Sequence, residues 1–358
     1  MLNDLFQPIS LLLVFLLSAG LNLFFIRSRW LNTRLAPNEE ETHATQAMHE
    51  RPTLRIGGVG VVTSFAMGVC MLNSASTAAI TLAILAGSII FVTGLLEDIF
   101  RNITPRVRMF AALGSAALAM ALTGIVVPRL GIPPVDPLFG LTFFGIAITL
   151  LWSAGACNAI NLIDGLNGLS SGYTIAATIG LIAVALKADV PAVASAALLL
   201  IPSVLGFLSF NWPRGLIFLG DAGAYTIGHI LAWLCIILLA SSSEVAPFAL
   251  LLILFWPVAD MLTALMRRRL TKAAAGQPDD QHSHHLMLRL IKKTLGKNMS
   301  ITLRNSLASF CLIPFYIMPI CLGVILWNEP LASVWVLLSW AVLFLLSYAG
   351  LSRYLTKS

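Results

Sequence analysis

Pro8-Ile9-Ser10-Leu11-Leu12-Leu13-Val14-Phe15-Leu16-Leu17-Ser18-Ala19-Gly20-Leu21-Asn22-Leu23-Phe24-Phe25-Ile26 runs without a single charge and is closed by Arg27, Ser28 and Arg29. As a helix it is long enough to cross the roughly 30 Å hydrocarbon core of a bilayer. Asp4 and no basic residue precedes it, the reverse of the charge order in a cleavable signal peptide. The expectation is a retained span with its N-terminus outside, since Lys and Arg collect on the cytoplasmic side.

The pattern recurs at 56–72, 78–96, 109–127, 138–157, 171–187, 191–210, 222–240, 246–265, 305–326 and 332–350. The 358 residues are 58% hydrophobic and 11% charged, with mean hydropathy +0.89. A soluble domain carries about a quarter charged residues, so a soluble enzyme is excluded. Long runs without alternation also exclude an outer-membrane barrel. The reading is an all-α polytopic membrane protein, a single catalytic domain over 1–358. It has about eleven transmembrane helices (ten if two merge), N-terminus outside and C-terminus inside, with a long inner loop over 266–304.

Threading these spans alternately places 20 of the 22 Lys and Arg on the inner face and leaves Arg129 and Lys187 outside. The net charge of +6 and pI near 9.3 therefore reflect cytoplasmic loops, with no nucleic-acid partner. Cys70, Cys157, Cys235, Cys311 and Cys321 lie in or beside apolar runs without CxxC spacing, which points to packing or lipid contact and not to a metal knuckle. The outer loops are short; the polar clusters are inside.

Five inner segments carry chemistry-bearing residues. In Arg51-Pro52-Thr53-Leu54-Arg55-Ile56-Gly57-Gly58-Val59-Gly60 the glycines either let helices pack closely or let backbone N–H groups and two arginines approach a phosphate. Glu97-Asp98 are adjacent acids that need a cation, a basic neighbour (Arg101, Arg106, Arg108) or a proton. Asn158, Asn161, Asp164 and Asn167 recur every three residues, sharing one helix face if the fifth span continues through them. Such an array suits a nucleobase, a ribose or a hydrated metal.

Asp221 sits between Gly220 and Gly223 at a span start, as a helix cap or as a carboxylate open to a bulky ligand; Asn211 and Phe218 offer hydrogen bonds and a stacking face. His282-Ser283-His284-His285 reads either as a zinc tract without a nearby acid or as uncommitted imidazoles among phosphates. The amphipathic stretch 285–297 after it belongs on the anionic inner leaflet. Asp260 is the one acid inside an apolar run, six or seven residues from Arg267, and its role stays open. Together these place carboxylates, carboxamides, arginines and histidines at one membrane face, an inventory for Mg²⁺-dependent chemistry on a diphosphate.

Glu97-Asp98, the 158–168 segment, Phe218-Leu219-Gly220-Asp221-Ala222-Gly223 and His282-Ser283-His284-His285 occur in an order that resembles the polyprenyl-phosphate N-acetylhexosamine-1-phosphate transferases, glycosyltransferase family 4. That family includes phospho-MurNAc-pentapeptide translocase and the undecaprenyl-phosphate GlcNAc-1-phosphate transferases that start O-antigen. The resemblance implies attack of undecaprenyl phosphate on the sugar-linked phosphate of a UDP-HexNAc, with loss of UMP. By the same resemblance Asp98 engages or deprotonates the acceptor, directly or through a covalent route, with Glu97 beside it. Asp221, with Asp98, holds Mg²⁺ (Mn²⁺ as the alternative). Asn158, Asn161, Asp164, Asn167, Asn211 and Phe218 line the uridine side, Arg51, Thr53 and Arg55 serve substrate binding, and His282, His284 and His285 lie near the diphosphate or sugar.

Glu97 and Asn167 stand where relatives often carry Asp. The His-x-His-His form favours the glycan-initiating branch, and the Arg51-Pro52-Thr53 start is similar to enzymes using 6-deoxy sugars such as FucNAc or QuiNAc. The implied setting is a bacterial inner membrane with the site on the cytoplasmic face, and a homodimer is compatible with it. A transporter or lipid flippase is the rival of another class, but it places ionisable groups at the bilayer midplane.

Overall fold

The computed structural model describes residues 8–35, 53–72, 75–271, 279–295 and 299–356; Arg51 lies outside them. Among the described residues all regular structure is helical. In chain order the α-helices are α1 (Pro8–Arg27), α2 (Arg29–Leu35), α3 (Gly57–Leu72), α4 (Ala78–Ala86), α5 (Ser88–Phe100), α6 (Pro105–Thr123), α7 (Thr142–Ile163), α8 (Leu169–Lys187), α9 (Pro191–Asn211), α10 (Gly220–Ser241), α11 (Pro247–Ile253), α12 (Phe255–Thr271), α13 (Ser283–Thr294), α14 (Ile301–Ile325) and α15 (Pro330–Thr356).

Nine of the helical spans described are long and apolar enough to cross a membrane, with α4 and α5 counted as one. The pair α11 and α12 makes a tenth, bent by 82°. The eleventh expected span, α3, is apolar but has only 16 residues.

Lipid tails are as apolar as leucine, so helices in a bilayer associate through close packing of small residues. α10 is the hub, its whole apolar window buried. A Cβ on Gly58 of α3 would lie 2.2 Å from Cα of Gly223, one on Gly94 of α5 would lie 2.6 Å from the Ala222 nitrogen, and one on Gly228 would lie 2.6 Å from the Ala156 carbonyl of α7. Three helices thus meet α10 almost backbone to backbone. At the periphery, the apolar window of α15 has no buried residue; Leu331, Trp335, Leu338, Val342 and Leu346 face outward.

Midway along α10, His229 is wholly buried. Its Nε2 lies 2.9 Å from the Ala83 carbonyl of α4 and its Nδ1 3.5 Å from Ser153 Oγ of α7. A carbonyl only accepts, so Nε2 carries the proton and Nδ1 accepts from the serine. The residue ties α10 to α4 and to α7, and the ends of α7 and α10 help build the site.

The two exceptions to the charge pattern cap helices. Arg129 donates to the carbonyls of Leu239 (3.1 Å), Ser242 (2.9 Å), Ser243 (2.8 Å) and Val245 (2.8 Å), and Lys187 reaches Val324 O at 3.2 Å. Every other described Lys and Arg lies toward the end of the bundle where α5, α7 and α9 finish and α3, α6, α8, α10 and α14 begin.

Candidate active site

At that end α10 starts from a tight turn. Gly220 has φ +76°, and a Cβ there would stand 1.9 Å from the Arg55 carbonyl and 2.6 Å from Asp98 Oδ2. The segment before α3 pairs with the segment before α10: Phe218 N donates to Leu54 O (2.8 Å), Gly57 N to Phe218 O (2.9 Å) and Gly58 N to Leu219 O (2.8 Å). The glycine-rich stretch is therefore packing. The N–H groups of Gly57 and Gly58 are bonded to the chain before α10 and not free for a phosphate.

The adjacent acids separate. Asp98 is buried, and its Oδ1 and Oδ2 accept the N–H groups of Asp221 (2.8 Å) and Ala222 (2.9 Å). It caps α10, satisfying two N–H groups that no helix can satisfy itself. Asp221 makes no capping bond, contrary to one expectation for it. Its Oδ2 takes Arg108 of α6 and its Oδ1 accepts Asn161 Nδ2 of α7 at 3.0 Å. Glu97 turns away, accepting Ile103 N at 2.6 Å with Arg108 at 3.9 Å. Of the three nearby arginines it is Arg108 that joins the carboxylates, over the Tyr225 ring at 6.0 Å; Arg101 binds Leu35 O.

The three-residue periodicity does not survive beyond Asn161. α7 ends at Ile163 and Asp164 is its C-cap, so the expected single face is broken. Asn158 bonds Ala154 O at 2.8 Å within its own helix. Asp164 pairs with Ser170 Oγ, and burial pushes its carboxyl up to about 6, opposed by that hydrogen bond and the charge of Arg55. Arg55 itself is exposed.

Asn167 and Asn211 hold loops. Asn167 is buried, its Nδ2 on Pro213 O (3.2 Å) and its N–H on Asn305 Oδ1 (2.7 Å). Asn211 Oδ1 accepts Gly168 N (2.7 Å) and its Nδ2 donates to Ile217 O (2.8 Å). Thr53 reaches Gly215 O at 3.4 Å, and Phe218 is half-buried. Asn305 went unread in the sequence because nothing distinguishes it from other helical asparagines.

The histidines pack onto this loop: a Cβ on Gly165 would stand 2.6 Å from His284 Nε2. His282 and His284 stack with centroids 5.7 Å apart, and His284 and His285 lie 4.3 Å apart. Burial drives His284 well below the usual imidazole range and His285 down to about 4, so both are neutral at pH 7. Two acids, Asp260 and Asp279, do face His282. Among the described residues, however, no group of three His, Cys, Asp or Glu converges as a metal cage. The amphipathic helix exists as α13, but its apolar residues Leu286, Met287 and Ile291 are buried, the last two in the protein core with α14. They were expected to face the leaflet.

The sequence profile of glycosyl transferase family 4 matches residues 80–239. A Bacillus subtilis protein named probable undecaprenyl-phosphate N-acetylglucosaminyl 1-phosphate transferase is 30% identical over 259 residues, 72% of this chain and 71% of its own. Decaprenyl-phosphate N-acetylglucosaminephosphotransferase of Mycobacterium leprae is 29% identical over 71% and 69% of the two chains. An undecaprenyl-phosphate alpha-N-acetylglucosaminyl 1-phosphate transferase of Yersinia pestis is 30% identical over 57% of each. The chain belongs to glycosyl transferase family 4 and is an integral-membrane transferase.

Proposed function

We propose that this protein transfers HexNAc-1-phosphate from a UDP-sugar to undecaprenyl phosphate, releasing UMP and starting an O-antigen or related surface glycan. The observation carrying the reading is Asp221 joined to Arg108 and Asn161 beside the buried Asp98, at the basic end of a membrane bundle. An acceptor phosphate oxygen attacks the sugar-linked phosphorus, and the bond to the UMP oxygen breaks. Arg108 and Arg55 neutralise phosphate charge, and Asp98, with one lone pair left on each oxygen, takes the proton of the monoprotonated acceptor phosphate as it attacks. Neutral His284 and His285 offer hydrogen bonds without repelling Arg55.

The donor set suits Mg²⁺, which binds through one or two carboxylates plus substrate phosphates. Asp221, with Asp98 adjacent, would hold it, and the ion would supply charge stabilisation at the transferring phosphate; Mn²⁺ is the alternative. A transporter needs an ionisable site at midplane, whereas His229 there is bonded on both ring nitrogens.

The test is the purified protein with undecaprenyl phosphate, Mg²⁺ and a panel of UDP-GlcNAc, UDP-FucNAc and UDP-QuiNAc, following UMP and lipid-linked sugar. Turnover with one donor names the sugar; folded protein silent with all three rejects the reading. On this reading the basic end faces the cytoplasm, where Lys and Arg collect. A reporter fused after Ser243 should read periplasmic and one fused after Asp280 cytoplasmic, and both on one side would overturn the orientation.

A carboxyl raised to about 6 is protonated below that pH. If ionised Asp164 receives the donor, the donor KM rises as pH falls through about 6. Asp164→Asn should remove that inflection; a profile with the same inflection in the variant would assign it elsewhere.

A further inference from the structure

Asp260 sits one turn into α12, after the bend, and is 1% exposed. Its Oδ1 accepts the N–H of Ser283 at 2.8 Å, and its Oδ2 lies 3.1 Å from His282 Nδ1. It does not reach Arg267, the partner its sequence position suggested; Arg267 binds Asp279 instead. The other ring nitrogen of His282, Nε2, lies 3.6 Å from Asp279 Oδ2. Asp279 is itself held by Arg267, with Arg268 Nε at 3.5 Å. Arg267 also donates to the Gln281 carbonyl (3.2 Å) and to Tyr348 of α15, whose hydroxyl reaches the same carbonyl at 2.7 Å.

His282 thus bonds Asp260 on one side and has Asp279 3.6 Å away on the other, whereas His284 is 1% exposed and its Nδ1 has no partner among the described residues. A buried polar atom left unpaired is costly, and this one lies in a ring pressed between His282 and Gly165.

We propose that Asp260 is a positioning residue. With Asp279 it fixes the ring of His282, and the stacked His282 ring fixes His284 against Gly165, so that His284 and His285, and not His282, meet the donor. The last clause rests on the transferase reading; the clamp itself does not. In metal sites the carboxylate partners that orient ligating imidazoles cost about 10- to 100-fold when lost, and a loss on that scale is expected here. The three histidines then divide into one that is held and two that are presented.

The test uses the full-length detergent-purified protein, acylated with diethyl pyrocarbonate and read residue by residue by mass spectrometry. His282 should be protected relative to His285, and Asp260→Ala should raise its labelling to the rate of His285. Tyr348→Phe, on a peripheral helix, should raise it partway, and it supplies the answer where Asp260→Ala does not fold. In turnover, Asp260→Ala should lower kcat about 10- to 100-fold, with recovery in His282→Asn relative to His282→Ala, because the asparagine Nδ2 replaces Nδ1. Equal labelling of His282 and His285 in the wild type, or labelling unmoved by both variants, overturns the clamp. A transferase assay silent with every donor removes the functional clause and leaves the labelling result standing.

Discussion

Asp221→Asn lowers kcat/KM by about a thousandfold, or about 4 kcal/mol of transition-state stabilisation, while the protein melts as wild type in detergent. The substitution keeps the shape and the acceptor oxygen for Asn161 Nδ2, so the local hydrogen bond of 3.0 Å survives. What disappears is the negative charge that Arg108 meets. Arg108 is then left close to Glu97 at 3.9 Å, and on the proposed reading a divalent cation would lose its principal carboxylate. Electrostatic groups preorganised in a water-poor site carry the largest single share of catalysis. Steady-state assays across Mg²⁺ concentrations check this; wild-type turnover in the variant would remove Asp221 from the site.

Gly220→Ala should abolish turnover through the backbone and not through a lost functional group. A side chain at φ +76° is strained, and its Cβ would overlap the Arg55 carbonyl, a backbone atom in a segment tied down by three hydrogen bonds. Either the Leu54–Gly58 segment or the start of α10 must move, and the latter carries away the two N–H groups that Asp98 binds. A stability loss of about 2–4 kcal/mol is expected, read as a lower melting temperature. An unaltered melt with full activity would mean that the turn relaxes freely.

The helical class and the spans were legible because apolar run length is a direct reading of bilayer thickness. The acids were legible as candidates, but their division of labour was not. Nothing in Glu97-Asp98 says that one caps a helix starting 122 residues later and the other turns back to Ile103. Asn167 and Asn211 looked like ligand contacts because carboxamides serve ligands and loop backbones equally well. Asp260 was conspicuous as an acid in an apolar run, yet its partner lay across a loop, and proximity in sequence favoured Arg267 instead. Arg108 was one of three equivalent arginines until the start of α6 was placed against α10.

α10 has an acid at its first turn and a guanidinium at its last: Asp98 on the N–H groups of Asp221 and Ala222, Arg129 on the Leu239 carbonyl and the chain just beyond. A helix macrodipole carries about half a positive charge at the N-terminus and half a negative charge at the C-terminus. Here both poles are met by side chains, a carboxyl at one end and a guanidinium at the other. The positive pole that commonly receives phosphate in soluble enzymes is already filled by Asp98. On the proposed reading, an incoming diphosphate would draw its attraction from other groups at this end, such as the exposed Arg55.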